Sequence, residues 1–208
     1  MKKNLLALSI LTLLTTGCIP RTSSTVTQNS TPTLTYNTAP TPMPSRSNRP
    51  TQNNVLSSTS YHQFQTIQGP KITIGEHPAG FVFPEYQGKV VLLQIFGKEC
   101  PHCFNEMPII TRLRSKFGEH FQVVAIQAQE PMSRNKASEL INRFHMNYPI
   151  IEKAEANNIL YFLKNTYNWR GILPYGLLIK NGIIEYTYKG ESDANEIQEM
   201  EEIIQGLI

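Results

Sequence analysis

The sequence predicts an α/β domain built on a mixed sheet, and three observations carry that reading. Two uninterrupted apolar runs have strand length, "KVVLLQIF" (89–96) and "FQVVAIQ" (121–127). Segments with helical periodicity separate such runs. An Asn181–Gly182 pair then joins two further strand-like stretches. Continuous β-branched runs suit strands covered on both faces, and Asn-Gly between strands marks a tight hairpin. Alternation followed by a hairpin and a last helix argues a sheet parallel at its centre, with one antiparallel edge and flanking helices.

Taken in order, "KITIG" (71–75) and "FVF" (81–83) read as short strands or a hairpin ahead of the core, with the folded domain over 64–208 starting near Phe64. After the first long strand, a helix should run from Pro101 to about Phe117. Proline suits its first turn, where the missing N–H costs nothing, and Gly118 closes it. "SRNKASELINRFHM" (133–146) reads as a helix capped by Ser133. "YPII" (148–151) is a short strand and "AEANNILYFLKNTYN" (154–168) another helix. "GLLIK" and "IIEYTYK" flank the Asn-Gly turn, and the last helix spans about Asn195 to Ile204 with Asp193 as cap. A domain of this length, about 145 residues, can bury a sizeable core.

The ends of the chain differ in character. "MKKNLLALSILTLLTTGC" (1–18) has a Lys2–Lys3 start, an apolar stretch from Leu5 to Leu14 and small residues ending at Gly17–Cys18. That is the layout of an export signal, and its apolar run is too short for a permanent membrane span. The Gly17–Cys18 junction resembles the lipobox of bacterial lipoproteins, in which the cysteine is acylated and becomes the mature N-terminus; Thr15 stands where that pattern usually has leucine. The resemblance implies a lipid anchor at Cys18, and more than one acyl chain is what stable anchoring requires. Ile19, in place of the aspartate that favours inner-membrane retention, points weakly to the outer membrane. Residues 19–60 are rich in Ser, Thr, Pro, Asn and Gln. Too little apolar content remains to offset the entropy of ordering them, so they read as a disordered tether. About 40 such residues reach roughly 35 Å. The whole chain of 208 residues carries a net charge of +3 with no dense Lys/Arg cluster, so nucleic acid is not an expected partner.

Chemistry concentrates in "FGKECPHCFNEMP" (96–108), which holds two of the three cysteines. With Cys18 lipidated, Cys100 and Cys103 remain as a self-contained pair in an oxidising compartment. Cys100 sits where a buried strand gives way to a helix start. The unpaired N–H groups and positive dipole end of that helix favour a thiolate there. Pro101 presets the first turn and His102 can add positive charge; thiolates in such settings have pKa values of about 3.5 to 7.5. Stabilising the thiolate favours the dithiol form and makes the disulfide a better oxidant. Cys100 is thus the expected exposed nucleophile and Cys103 the shielded resolving thiol. A structural bridge over two residues would restrain the unfolded chain very little. Zinc needs four ligands, and His62, His77, His120 and His145 lack metal-ligand spacing. Haem attachment needs histidine directly after the second cysteine, where Phe104 stands. Redox exchange is the favoured reading, ahead of a metal site and a structural bridge.

The stretch from about Ile74 to Gly190 resembles the thioredoxin superfamily, and within it the membrane-tethered TlpA/ResA type of thiol–disulfide oxidoreductase. "GKVVLLQIFGKECPHCFNEMP" is similar to that family's strand, C-x-x-C and C-x-x-E-x-P sequence, and "GILPYGLLIKNG" to its cis-proline turn and following strand. The resemblance implies a thioredoxin-like fold with a central mixed sheet flanked by helices, extra N-terminal strands and a βα insert before the cis-proline. It makes Pro174 the cis-proline, with Leu173–Pro174 docking an extended substrate backbone. It makes Glu106 a buried carboxylate that handles the proton of Cys103, with a pKa raised by desolvation. Thioredoxin itself uses an aspartate on the preceding strand; here that position is Gln94, which cannot exchange a proton.

Two departures stand out. Glu99 replaces the tryptophan usual before the first cysteine, and its charge opposes the thiolate. Pro101–His102 is the dipeptide of the oxidase DsbA, although DsbA's larger helical insert does not fit this length. The implied function is thiol–disulfide exchange on cysteine-containing exported proteins in the periplasm, TlpA/ResA-like and of the reductase or cytochrome c maturation type. A membrane redox partner would recycle the pair, and no cofactor is needed because two sulfurs hold the electrons. The alternatives are a DsbA-like oxidase or isomerase, and a non-enzymatic copper-handling lipoprotein using the dithiol as a soft-metal site.

Overall fold

The computed structural model describes residues 59–208. The predicted leader, Cys18 and the tether up to residue 58 lie outside the described residues. The described chain opens with β1 (Ser60–Gln65), β2 (Lys71–His77) and β3 (Gly80–Val82), which pair in that order as an antiparallel three-stranded sheet. There follow β4 (Val90–Phe96), α1 (Pro101–Phe117), β5 (Phe121–Gln127), α2 (Arg134–Phe144) and β6 (Ile150–Glu152). The chain ends with α3 (Asn157–Thr166), β7 (Tyr175–Lys180), β8 (Ile183–Lys189) and α4 (Ala194–Leu207).

The main sheet has the order β6-β5-β4-β7-β8. β6, β5 and β4 run parallel, while β7 is antiparallel to β4 and β8 to β7. The antiparallel edge is the predicted hairpin: the Asn181–Gly182 turn, with both residues at positive φ (51° and 83°), ties β8 to β7. β4 is consequently central, with a parallel neighbour on one side and an antiparallel one on the other.

All seven residues of β4 are buried. Val90, Leu92 and Phe96 meet an apolar layer from α1, α2 and α4, including Met107, Leu113, Leu140, Met200 and Ile204. Val91, Leu93 and Ile95 meet α3 and the small sheet, including Ile159, Leu163, Phe64, Ile74 and Phe81. Burying each large side chain of this kind contributes about 1.5–3 kcal/mol. The sheet thus lies between helices on one face and a helix plus the small sheet on the other, a thioredoxin-like arrangement.

Several boundaries differ from expectation for local reasons. β1 begins at Ser60, four residues ahead of Phe64 and inside the last position assigned to the tether. Its sequence, SYHQFQ, buries only Phe64, so it has no apolar signature and is held instead by its ladder to β2. α2 stops at Phe144 because His145 takes a left-handed conformation (φ 51°, ψ 44°). α3 starts at Asn157 without a side-chain cap, after residues that form turns. α4 runs on to Leu207 from a full capping box, in which Asp193 accepts the N–H groups of Asn195 and Glu196 while Glu196 bonds back to the Asp193 N–H. Asp193→Ala is expected to cost about 1 kcal/mol, read as a lower urea midpoint with unchanged slope.

Candidate active site

β4 ends at Phe96, and three residues carry the chain to the mouth of α1. Gly97 is required by a close approach: a Cβ there would stand 2.4 Å from Cδ of Gln129, on the loop after β5. The Gln129 Oε1 accepts the Glu99 N–H at 2.9 Å, which pins this connection. Neither Gly97 nor Gln129 was marked by sequence pattern. Glu99 itself points outward beside the partly buried Lys98 (3.8 Å), a contact of little energetic weight because the carboxylate is in solvent.

Cys100 is the N-cap of α1, with extended backbone (φ −112°, ψ 101°). Its Sγ accepts the N–H of Cys103 at 3.1 Å, so one of the orphan donors of the helix points at the sulfur. The two cysteines form a disulfide, with S–S 2.06 Å and Cα atoms 5.2 Å apart. Cys100 is 7% exposed and Cys103 0%. The first sulfur is therefore less open than predicted, because Cys100 belongs to the apolar cluster that α1 builds against the sheet. The order of access nonetheless runs from Cys100 to Cys103.

Pro101 occupies the first turn of α1 and is exposed. His102, also exposed, has Nδ1 2.5 Å from Oε2 of Glu191, on the loop between β8 and α4. Asn105 donates to the other oxygen of Glu191 at 2.8 Å. These bonds, that of Asn105 first and then that of His102, hold the Glu191 carboxyl below the usual carboxylate range. Glu191 is 89 residues from His102 in sequence, and only the fold brings it here.

Glu106 lies one helical turn below Cys103 and is 4% exposed. Gln94 Nε2, from the centre of β4, donates to its Oε2 at 2.9 Å, while Oε1 is buried without a hydrogen bond. Burial pushes the carboxyl up to about 7, with the Tyr188 phenol and the Gln94 amide pulling it partly back. Gln94, read from sequence only as a group that cannot move a proton, is thus the amide that orients the Glu106 carboxyl. The Leu173–Pro174 peptide is cis. Tyr175 pairs with Ile95, so Pro174 stands level with Phe96 at the sheet end from which Cys100 emerges. The Trp169 Nε1–H donates to the Ile172 carbonyl at 3.0 Å, tying down this loop and leaving Ile172 exposed.

The structure therefore brings Cys100, Cys103, Glu106, Pro101, His102, Leu173 and Pro174 to one end of the sheet. An apolar cavity of about 150 Å³, lined by Phe81, Phe83, Tyr86 and Val91 among others, lies toward the opposite end of β4 and shares no residue with them. Among the described residues no group of three or more His, Cys, Asp or Glu side chains is placed to hold a metal ion.

The Redoxin family profile matches residues 64–204. This chain belongs to the Redoxin family. Relatives in sequence and in fold resemble it. The thiol-disulfide oxidoreductase ResA of Halalkalibacterium halodurans is 26% identical over 121 residues, covering 58% of this chain and 65% of that protein. The match thus spans somewhat less than two thirds of that relative's length. A thiol:disulfide interchange protein of the thioredoxin family from Chlorobium tepidum superposes with a TM-score of 0.55 at 17% identity, over 71% of this chain and 92% of that one. A DsbF homologue from Corynebacterium diphtheriae gives 0.55 at 16%, over 71% and 85%. These structures establish the shared thioredoxin-like fold of the Redoxin domain.

Because the Glu106 carboxyl titrates near 7 folded against 4.5 as its ordinary value, the folded state binds the extra proton between those limits. Its stabilising contribution is complete below about pH 4.5 and is lost as pH rises through 7. Urea unfolding of the oxidised protein and of Glu106→Gln across this range should show their stability difference moving by about 3 kcal/mol in favour of the variant. A pH-independent difference would show that the carboxyl is not so perturbed.

Proposed function

We propose that this protein is a thiol–disulfide oxidoreductase of exported proteins, working through Cys100 and Cys103 in the reductive direction. The observation that carries the reading is the stack at the mouth of α1: a reachable sulfur accepting a helix N–H, a covered sulfur bonded to it, and a buried carboxyl one turn below. In the reduced protein the Cys100 thiolate attacks a client disulfide, forming a mixed disulfide and expelling one client thiolate. Glu106 takes the proton of Cys103, whose thiolate then attacks Cys100 Sγ and releases the second client thiol. Two electrons pass to the client, and the Cys100–Cys103 disulfide remains. A membrane dithiol partner would restore the pair. Leu173 and Pro174 would receive the extended client chain beside Cys100.

Direction is argued from His102. A cationic imidazole near Cys100 would favour the thiolate and so an oxidising disulfide, as the Pro101–His102 dipeptide suggests. Here the Glu191 carboxylate stands against that imidazole, and Glu99 adds a second negative charge at the mouth. Both work against an oxidant. The DsbA-like reading rests on the dipeptide alone. The copper-handling reading gains no further ligand from the described residues.

For location, we propose export and lipid anchoring at Cys18, with the domain facing the periplasm and Ile19 favouring the outer membrane. No helix among the described residues is long and apolar enough to cross a membrane.

Two measurements test this reading. Equilibration of the domain in glutathione buffers should give a reduction potential of about −230 mV or below, whereas one near −120 mV would assign it to the oxidases. In whole cells, Cys18→Ser should move the protein from the membrane to the soluble fraction; unchanged membrane association would remove the lipid anchor.

A further inference from the structure

One row of residues runs straight across the main sheet beneath α1. Ladder partners place Ala125 of β5, Gln94 of β4, Gly176 of β7 and Tyr188 of β8 side by side. Ala125 and Tyr188 belong to the apolar layer on the α1 face, and Gln94 reaches Glu106 from the same row. Two of the four are small. That leaves a hollow under Glu106 in a sheet that is otherwise filled by large side chains.

Tyr188 fills it sideways. A Cβ built on Gly176 would lie 2.1 Å from Cε1 and Cζ of Tyr188 and 2.4 Å from its hydroxyl oxygen. The ring thus lies flat across Gly176, in the space that any other residue at 176 would occupy. Gly176 has no positive φ to explain it; the need is for room. Lying this way, the phenol points along the row toward Gln94 and Glu106 rather than away from the sheet.

The consequence is a phenol buried beside a carboxyl. Tyr188 is 3% exposed, and both its hydroxyl and Oε1 of Glu106 are buried without a hydrogen-bond partner. Gln94 occupies only Oε2. A buried hydroxyl without a partner is costly, so an orientation facing the free carboxylate oxygen is the economical one. One further phenol faces this carboxyl. Tyr148, ahead of β6, is buried with its hydroxyl unpartnered; burial pushes its phenol up, Arg114 opposes that and Glu106 adds to it. Arg114 stands over the Tyr148 ring at 5.4 Å. Cys103 completes the surroundings from the same helix.

We propose that Tyr188, laid across Gly176, is the positioning residue of Glu106: it holds the carboxylate in the state and orientation that serve Cys103. The inference rests on the exchange function argued above and assigns a residue to it. Tyr188 touches neither sulfur nor client. It acts through Glu106, favouring the charged carboxylate by offering it a donor in a place where burial opposes the charge. Gln94 sets one oxygen, and a donating Tyr188 would set the other.

The test uses Tyr188→Phe, Glu106→Gln and the double variant, each reduced and mixed with glutathione disulfide in single turnover across pH, with the Glu106 Cδ resonance titrated by NMR in the wild type and in Tyr188→Phe. Loss of the phenol should move the Glu106 midpoint upward by about one unit and slow exchange about tenfold near pH 6, with rates converging on wild type at alkaline pH. In the Glu106→Gln background the same change should have no further effect on the profile. Gly176→Ala, which keeps the hydroxyl but displaces the ring, should shift the midpoint in the same direction. An unmoved NMR midpoint in Tyr188→Phe would overturn the proposal, even if that variant unfolded more easily, because packing alone would account for it. If Glu106→Gln exchanges at the wild-type rate at every pH, the base assigned to the reaction is wrong. The midpoint still decides in that case whether Tyr188 governs the carboxyl.

Discussion

The structure turns on a polar group that an otherwise apolar strand must carry. β4 is buried on both faces and supplies the middle of both hydrophobic layers, yet its fifth residue is Gln94. An unpartnered amide at 0% exposure would cost more than any single apolar contact nearby returns. Its donor is satisfied by the carboxyl of Glu106, and the carboxyl is in turn accommodated by the amide. The bond ties α1 to the centre of β4, alongside the apolar packing of Met107, Ile110 and Leu113. Since Cys103 is on the same helix, that contact also helps to place the two sulfurs. The sheet and the chemistry are coupled through one 2.9 Å bond.

At the other end of the same turn, the electrostatics are set from far away in sequence. The helix mouth offers its N–H to Cys100, which taken alone favours a thiolate. The loop after β8 then brings Glu191 against His102 and Asn105. A carboxylate there offsets the attraction that the imidazole and the helix end exert on negative sulfur. Nothing in the dipeptide between the cysteines reveals this, which is why that dipeptide is a poor guide to direction by itself.

How much of this was legible depends on whether the cause is local. α1 and β5 have the predicted bounds, because Pro101, Gly118 and an unbroken apolar run are local signals. Ser133 and Asp193 cap their helices as expected for the same reason. β1 was invisible since five of its six residues face solvent and its stability comes from pairing with β2. The antiparallel edge was legible because Asn181–Gly182 joins its two strands by a local turn. In the site, the two cysteines could be read from their spacing at a helix start, while Glu106 was singled out by the family resemblance that places a carboxylate one turn on. Gln129, Glu191 and Gly176 could not, because each is defined by what a distant segment places against it.

The unequal cover over the two sulfurs has a bearing on damage as well as turnover. A small oxidant that finds the reduced protein meets Cys100 first, and the sulfenic acid it leaves there lies against a thiol that nothing from solution can reach. Condensation with Cys103 returns the pair to its ordinary disulfide before a second oxygen arrives, which keeps the nucleophile off the irreversible rungs of sulfur oxidation. The interior position of Cys103 thus doubles as built-in repair.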